Sequence, residues 1–133
     1  MTGSGKILVV DDESNIRLLL SEVLSDKGFE VTEAKDGQES LEKMEKHDFD
    51  LVITDVNMPR LDGIAMLHRM EKDGRKEKVI IMTANPLNQR FLNSSMNRVV
   101  TQLYKPFSIT DFLNVVIAAT AGGEHVTGVE APL

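Results

Sequence analysis

Short apolar runs bounded by turn residues alternate along the chain with longer stretches in which apolar residues recur every three or four positions. The short runs are typical of strands buried on both faces of a sheet, and the periodic stretches are typical of helices packed on one side. The runs predict strands at residues 7–10, 29–32, 51–53, 79–82 and 99–104. The periodic stretches predict helices at residues 14–27, 38–46, 63–72, 86–98 and 111–120, and the period is weakest at 86–98.

This alternation predicts an α/β protein with a (βα)5 doubly wound architecture. Strands that alternate with helices are expected to be parallel and joined by right-handed crossovers, which places helices on both faces of a five-stranded parallel sheet. Residues 5–120 form one domain in this interpretation. Residues 121–133 have no hydrophobic period and are interpreted as a flexible C-terminal tail.

Helix ends and helix faces carry more detailed predictions. Gly28 follows the first helix and is a suitable C-cap, and Thr110 or Asp111 is expected to cap the last helix. The apolar positions of the first helix are Ile16, Leu19, Leu20, Val23 and Leu24. The last helix is expected to turn inward Phe112, Leu113, Val116 and Ile117.

Composition narrows the classes of function. The chain has 133 residues, enough for one domain with a core, and it is 41% hydrophobic and 27% charged, as soluble globular proteins are. A net charge of −6 argues against a nucleic-acid-binding surface, which needs clustered lysine and arginine. The absence of cysteine excludes disulfides and thiolate metal sites. A polar start and the lack of a long apolar segment predict a cytoplasmic protein without a membrane span.

Polar residues follow four of the predicted strands. The first strand ends in Asp11 and Asp12, the third in Asp55, the fourth in Thr83 and the fifth in Lys105. Each has a simpler interpretation, since Asp11 and Asp12 could cap the first helix and the others could be ordinary solvated residues. The carboxyl ends of parallel strands lie at the same edge of a sheet, however, and ligands of open α/β sheets bind there. We therefore expect these side chains to converge.

A cluster of carboxylates favours a hard cation. Mg²⁺ takes oxygen ligands and commonly uses one or two protein carboxylates, whereas the absence of cysteine and of a suitable histidine pair argues against zinc. A carboxylate beside Mg²⁺ can act as a nucleophile toward phosphorus and form an aspartyl phosphate. The ammonium of Lys105 would then neutralise phosphoryl oxygens, and the hydroxyl of Thr83 could donate a hydrogen bond to one of them.

At this point the chain resembles a known family, the receiver domains of two-component response regulators. The resemblance covers roughly residues 6–119. It is carried by Val9-Val10-Asp11-Asp12 before a helix, Thr54-Asp55-Val56-Asn57-Met58-Pro59 with Asp62-Gly63, Met82-Thr83-Ala84, and Lys105-Pro106-Phe107. The Asp-Asp pair alone is a weak signal, but the ordered set is a specific one.

The resemblance implies a flavodoxin-like strand order 2-1-3-4-5 and a role for each site residue. Asp55 would accept a phosphoryl group from a sensor histidine kinase or a histidine phosphotransfer protein. Asp12, Asp55 and the backbone carbonyl of Asn57 would ligate Mg²⁺, with Asp11 acting through a bound water. The resemblance also implies that Thr83 and Lys105 bind the phosphoryl group, and that the peptide bond between Lys105 and Pro106 is cis.

The resemblance is incomplete on the side where the family transmits its signal. Family members carry an aromatic residue in the fifth strand three residues before the lysine, and here that position is Gln102. Tyr104 lies two residues further on and is a candidate replacement, with plain packing as the alternative. Thr83, Gln102 and Tyr104 are therefore the switch candidates. Residues 86–98 also lack the family's usual Gly-Ala feature.

These patterns predict a phosphorylation-dependent signalling receiver. Outside its own phosphorylation and dephosphorylation it is not expected to be an enzyme. Its partners would be a kinase or phosphotransfer protein and a downstream protein that docks near the predicted fourth helix, fifth strand and fifth helix. It would be a monomer or weak dimer that binds neither nucleic acid nor membrane, acting alone or as part of a longer regulator. The alternatives are a phosphate-silent interaction module and an Mg²⁺-dependent phosphohydrolase with an aspartyl intermediate.

Overall fold

The computed structural model of the chain describes residues 5–56, 58, 62–84 and 99–121, with the backbone alone for residues 99 and 100. The strands are β1 Lys6–Val10, β2 Glu30–Ala34, β3 Leu51–Asp55, β4 Lys78–Thr83 and β5 Val99–Tyr104. The helices are α1 Ser14–Asp26, α2 Gly37–Lys46, α3 Gly63–Lys72 and α4 Ile109–Ala119. The predicted helix at 86–98 and residues 122–133 of the predicted tail lie outside the described residues.

The strands form one parallel sheet in the order β2-β1-β3-β4-β5. The register brings Val9 of β1 opposite Ile53 of β3, and Ile53 opposite Ile80 of β4. Every described strand therefore points its carboxyl end to the same edge of the sheet. The predicted fold class and strand order are confirmed.

Alternation along the strands divides the core between the two faces of the sheet. Leu8, Val10, Val52 and Ile81 pack with α2 and α3 on one face. Ile7, Val9, Ile53 and Ile80 pack with α1 and α4 on the other. Since successive strand residues point to opposite faces, a continuous apolar run is what such a two-sided core requires. The predicted placement of helices on both faces is confirmed.

The buried faces of two helices differ from their apolar stripes, and the predicted inward face of the last helix is wrong in part. Leu19, an apolar position of α1, is 44% exposed, while Ser21 is buried. In α4 the side chain of Ile117 is 38% exposed and Val115 is buried instead. The buried face of each helix is therefore narrower than the apolar stripe of its sequence.

The predicted cap of the last helix is also wrong. The N-cap of α4 is Ser108, whose Oγ accepts a hydrogen bond of 3.0 Å from the backbone N–H of Asp111. The helix begins at Ile109, so Thr110 and Asp111 lie inside its first turn. Gly28, by contrast, follows α1 with a φ of 98°, a left-handed conformation that suits a glycine at a helix C-terminus.

Among the described residues, no helix is both long enough and apolar enough to cross a bilayer.

Candidate functional site

The sheet brings the predicted site residues to its carboxyl edge. Asp55 is the last residue of β3, and Asp11 follows β1, the neighbouring strand. The backbone N–H of Asp11 donates to the carbonyl of Ala34 at 3.1 Å, which holds Asp11 in line with the end of β2 as well. Three strands thus support two carboxylates at one edge.

Asp11, Asp12 and Asp55 form a compact acidic cluster. One carboxylate oxygen from each residue lies within 4.8 Å of the others. Asp11 is fully buried, Asp55 is 7% exposed, and Asp12 is exposed at the mouth of the cluster. Three such charges in partial shelter from water repel one another strongly, and a cation between them would relieve that repulsion.

Lys105 supplies one positive charge to this cluster. Its Nζ donates a hydrogen bond of 2.7 Å to Oδ2 of Asp55 and lies 3.9 Å from Oδ2 of Asp11. Burial acts to lower the pKa of Lys105, but the hydrogen bond and the attraction of Asp55 and Asp11 outweigh it and raise the pKa above its ordinary value. The ammonium is therefore charged at neutral pH. The peptide bond to Pro106 is cis, as the resemblance implies.

One carboxylate oxygen of Asp11 accepts no hydrogen bond from the described residues. Its Oδ1 accepts the backbone N–H of Glu13 at 2.9 Å, whereas its buried Oδ2 has no hydrogen-bond partner among the described residues. Burial raises the pKa of Asp11, against the lowering effects of the Glu13 hydrogen bond and of Lys105. A buried carboxylate oxygen without a donor is costly in an apolar setting. The donor set, all oxygen and open on the Asp12 side, therefore fits a hard cation such as Mg²⁺.

The remaining predicted residues that the structure describes lie on β4 and β5. Thr83 ends β4 and is almost fully buried, and in the β4–β5 ladder it lies opposite Tyr104. Tyr104 is 49% exposed, and Gln102 is partly buried. The backbone N–H of Lys105 donates to the carbonyl of Thr83 at 2.8 Å, so the positions of these two residues are linked. Asn57 lies outside the described residues.

For two residues near the site, the sequence did not predict the contact that the structure shows. The first is Gly63, because a Cβ at that position would lie 2.4 Å from the carbonyl oxygen of Asp55. The second is Arg17 in α1, whose Nη1 donates a hydrogen bond of 2.7 Å to the carbonyl oxygen of Asp11. The Asp62-Gly63 pair is part of the motif that carries the family resemblance, which was a usable signal for the first. No pattern in the sequence relates Arg17 to Asp11.

Fold and cluster together define a doubly wound α/β protein with an acidic, lysine-paired site at the carboxyl edge of its sheet. Residues 7–117 match the family model of the response regulator receiver domain. The chain is 37% identical over 111 residues to sporulation initiation phosphotransferase F of Bacillus subtilis, a match that covers 84% of this chain and 90% of that one. It is 41% identical over 110 residues to a probable chemotaxis protein CheY of Rhizobium etli, covering 78% and 83% of the two chains.

A longer relative and two solved structures agree with these matches. The chain is 35% identical over 126 residues to the transcriptional regulatory protein PdtaR of Mycobacterium tuberculosis; the match covers 94% of this chain, which spans 61% of that protein's length. The chemotaxis protein CheY4 of Vibrio cholerae matches with a TM-score of 0.79 and 29% identity over 87% of this chain and 98% of its own. The response regulator TrrA of Thermotoga maritima, solved in complex with Mg²⁺ and BeF, matches with a TM-score of 0.73 and 33% identity over 90% and 99% of the two chains.

The chain belongs to the response regulator receiver domain family. Receiver domains of two-component systems are signalling modules, and phosphorylation-dependent signalling is their general kind of function. As a class they interact with histidine kinases or phosphotransfer proteins and with downstream effectors.

Proposed function

We propose that this chain is a phosphorylation-controlled receiver whose Asp55 accepts a phosphoryl group from a phosphohistidine. The donor would be a sensor histidine kinase or a histidine phosphotransfer protein. The observation that carries the proposal is the 2.7 Å contact between Oδ2 of Asp55 and Nζ of Lys105, made at the open end of a strand beside two further carboxylates. An acceptor oxygen, a fixed cation and a cation-binding cluster are what phosphoryl transfer requires.

In the proposed transfer, a carboxylate oxygen of Asp55 attacks the phosphorus of the phosphohistidine. A P–O bond forms to Asp55 as the P–N bond breaks, and the imidazole leaves with the electron pair of that bond and takes up a proton. Lys105 gives up its contact with the Asp55 carboxylate and binds a phosphoryl oxygen. The positive charge of its ammonium is therefore paired with a negative oxygen before and after the transfer. The hydroxyl of Thr83, at the end of the next strand, donates a hydrogen bond to another phosphoryl oxygen.

The carboxylate cluster would hold Mg²⁺, whose charge would neutralise the developing negative charge on the phosphoryl oxygens. Asp12 and Asp55 would ligate it directly, with the backbone carbonyl of Asn57 as the third protein ligand and Asp11 through a water. The exposure of Asp12 and the unbonded Oδ2 of Asp11 support this division, because one carboxylate is open to an incoming ion and the other has an oxygen to spare.

We propose that the signal leaves the site through Thr83 and the residues next to it in β5. Thr83 lies opposite Tyr104 in the ladder, and the half-exposed ring of Tyr104 has room to change its environment. Gln102 lies two residues before Tyr104 and therefore on the same face of β5. A downstream protein would dock around β5, α4 and the residues that precede β5. The receiver would act as a monomer or a weak dimer.

Tyrosine fluorescence can test the switch directly, since the chain has one Tyr and no Trp. We expect the emission of Tyr104 to change when Mg²⁺ and beryllofluoride, a phosphoryl analogue, are added together. Asp55→Asn should remove the response. An unchanged spectrum in a protein shown to bind beryllofluoride would mean that Tyr104 is only packed at the surface.

Intact mass spectrometry after incubation with acetyl phosphate and Mg²⁺ tests the phosphoryl-transfer proposal itself. We expect a single phosphoryl adduct on the wild type, and none without Mg²⁺ or on Asp55→Asn. Asp26→Asn, which removes an exposed carboxylate at the far end of α1, is the matched control and should be modified like the wild type. A protein that binds neither Mg²⁺ nor phosphate would instead be a phosphate-silent interaction module. Multiple-turnover release of phosphate from a small ester would indicate a phosphohydrolase.

A further inference from the structure

Arg17 makes a contact that none of the assigned roles explains. It lies on the first turn of α1, and its Nη1 donates a hydrogen bond of 2.7 Å to the backbone carbonyl of Asp11. Its Nε donates to Oε1 of Glu33 in β2 at 3.0 Å. The side chain of Arg17 is mostly buried, so its guanidinium is held between the helix and the strand instead of extending into solvent. It joins α1, β2 and the loop that carries Asp11 and Asp12.

This contact completes the fixation of Asp11. The N–H of Asp11 donates to Ala34, its Oδ1 accepts from Glu13, and its carbonyl accepts from Arg17. Every backbone and side-chain polar atom of Asp11 except Oδ2 thus has a bonded partner. Oδ2 is the atom that lies near Lys105 and beside the other two carboxylates. The residue can therefore neither rotate its carboxylate nor shift its backbone without breaking a hydrogen bond.

We propose that Arg17 is a positioning residue for the cation site: by clamping the carbonyl of Asp11 against Glu33, it holds Oδ2 of Asp11 toward the ion that Asp11, Asp12 and Asp55 share. Groups that orient ligands without touching the metal commonly change metal affinity by about 10–100-fold when removed. The inference rests on the proposed function, because it assumes that the cluster takes a divalent cation.

Charge alone makes the opposite prediction, and this separates the two explanations. A positive guanidinium bonded to the backbone of Asp11 repels an incoming Mg²⁺, so its removal should tighten binding if Arg17 acted only through its charge. Such a charge effect would also shrink as salt is added, because interactions between exposed charges are screened over about 8 Å at physiological ionic strength. Loss of positioning weakens binding instead, and it does so at every salt concentration.

The experiment is a calorimetric titration of Mg²⁺ into the wild type, Arg17→Ala, Arg17→Lys and Arg69→Ala at two salt concentrations. Arg69 forms an exposed ion pair of 3.6 Å with Asp73 on α3 and is the matched control for loss of an arginine. We expect Arg17→Ala to weaken Mg²⁺ binding about tenfold at both concentrations. Arg17→Lys keeps the charge but not the two-pronged donor, and should weaken binding less. Arg69→Ala should bind like the wild type.

Hydrogen exchange in the metal-free protein gives a second readout. The amide of Glu13 is bonded to Oδ1 of Asp11, so it should exchange faster in Arg17→Ala and Arg17→Lys. The amide of Ile53, in the middle of the sheet, should keep its protection; an equal loss at Ile53 would indicate general destabilisation and overturn the positioning role.

The outcomes for this inference and for the proposed function differ. Wild-type protein that fails to bind Mg²⁺ would overturn both. Binding by the wild type, together with unchanged or tighter binding by Arg17→Ala, would overturn the role of Arg17 and leave the receiver site intact.

Discussion

Asp11 is held in a state that reduces the stability of the folded protein. It is buried, its Oδ2 has no hydrogen-bond donor among the described residues, and two further carboxylates lie beside it. Burial raises its pKa above the ordinary value of 3.8. The folded chain therefore binds this proton more tightly than the unfolded chain, and stability falls as pH rises from about 3.8 through the folded pKa.

Replacing this carboxylate should consequently stabilise the protein while it impairs the site. At pH 7 and without Mg²⁺, we expect Asp11→Asn to raise the free energy of unfolding by on the order of 1 kcal/mol, because a buried charge is removed. The gain should shrink below about pH 3.8, where Asp11 is protonated in both states of the wild type. Urea unfolding at several pH values measures this. A less stable Asp11→Asn at pH 7 would contradict it.

Gly63 is needed because the backbone after Asp55 passes close to it. A Cβ at Gly63 would lie 2.4 Å from the carbonyl oxygen of Asp55 and 3.1 Å from the Cα of Val56, and neither backbone atom can move aside cheaply. The N–H of Gly63 also donates to the carbonyl of Val56 at 3.0 Å, which closes the loop. The start of α3 is thus packed directly against the end of the strand that carries Asp55.

We expect Gly63→Ala to destabilise the fold by about 1–3 kcal/mol through overpacking, and to weaken Mg²⁺ binding because Asp55 is displaced. Gly74→Ala is the matched control. Gly74 has a φ of 71° and nothing within 4 Å of the added Cβ, so its replacement strains only the local backbone. Gly74→Ala should lose stability and keep its Mg²⁺ affinity. Equal Mg²⁺ affinities for both variants would contradict the close-approach explanation.

At the scale of elements, helix termini are set by which side chain reaches the free N–H groups. Asp36 and Asp62 cap α2 and α3 by accepting from the backbone N–H of Glu39 and Ala65, each at 2.8 Å. Ser108 does the same for α4. All three sit at extended backbone positions directly before the helix, where a short polar side chain can fold back on the first turn. Thr110 has the right chemistry but lies within the helix.

Two alanine variants separate these possibilities for α4. Ser108→Ala should lower the free energy of unfolding by about 1 kcal/mol, since the hydrogen bond to the N–H of Asp111 is lost. Thr110→Ala removes an exposed residue of the first turn, and we expect a change within about 0.5 kcal/mol. Thermal or urea unfolding of the two variants measures the difference. A larger loss for Thr110→Ala would restore the cap expected from the sequence.

At the scale of the whole molecule, the two edges of the sheet differ in how their charged side chains are paired. The carboxyl edge carries three clustered carboxylates, whereas at the amino edge a buried carboxylate is paired with an arginine. Arg75 pairs with Glu77 through both its Nε, at 3.1 Å, and its Nη2, and its Nη1 donates to the carbonyl of Met44 at 2.8 Å. Glu77 also accepts the N–H of Phe49. This network ties the end of α2 and the start of β3 to the start of β4.

The amino-edge network should make stability depend on acid pH. Burial acts to raise the pKa of Glu77, but hydrogen bonds from Arg75 and the attraction of its charge outweigh it, and the pKa lies below its ordinary value of 4.5. The stabilisation is therefore complete above about pH 4.5 and is lost as pH falls through the folded pKa.

We expect Glu77→Gln to cost about 3 kcal/mol at pH 7, because one partner of a buried pair is removed, and progressively less below pH 4.5. Unfolding by urea across this range measures the difference, with Glu71→Gln, an exposed carboxylate on α3, as the control. A cost that stayed constant down to low pH would show that the lost contribution is packing rather than charge.

The alternation of strands and helices, and with it the expected convergence of the site residues, follows from the order of apolar and polar residues along the chain. Short continuous apolar runs bounded by turn residues are typical of strands buried on both faces, and parallel strands bring their carboxyl ends to one edge of the sheet. Asp11, Asp55, Thr83 and Lys105 could therefore be placed together from their positions after these runs. Their positions after successive strands were sufficient for this prediction, because a parallel sheet brings the carboxyl ends of its strands together.

How closely neighbouring helices and strands approach one another could not be predicted from the sequence and is seen in the folded chain. The hydrogen bond from Arg17 to Asp11, the contact that requires a glycine at 63 and the exposure of Leu19 depend on distances between elements. Such distances are set by the packing of whole helices on the sheet. Hydrophobic periodicity reports which side of a helix is apolar, but the packing of that helix on the sheet decides how much of this side is buried.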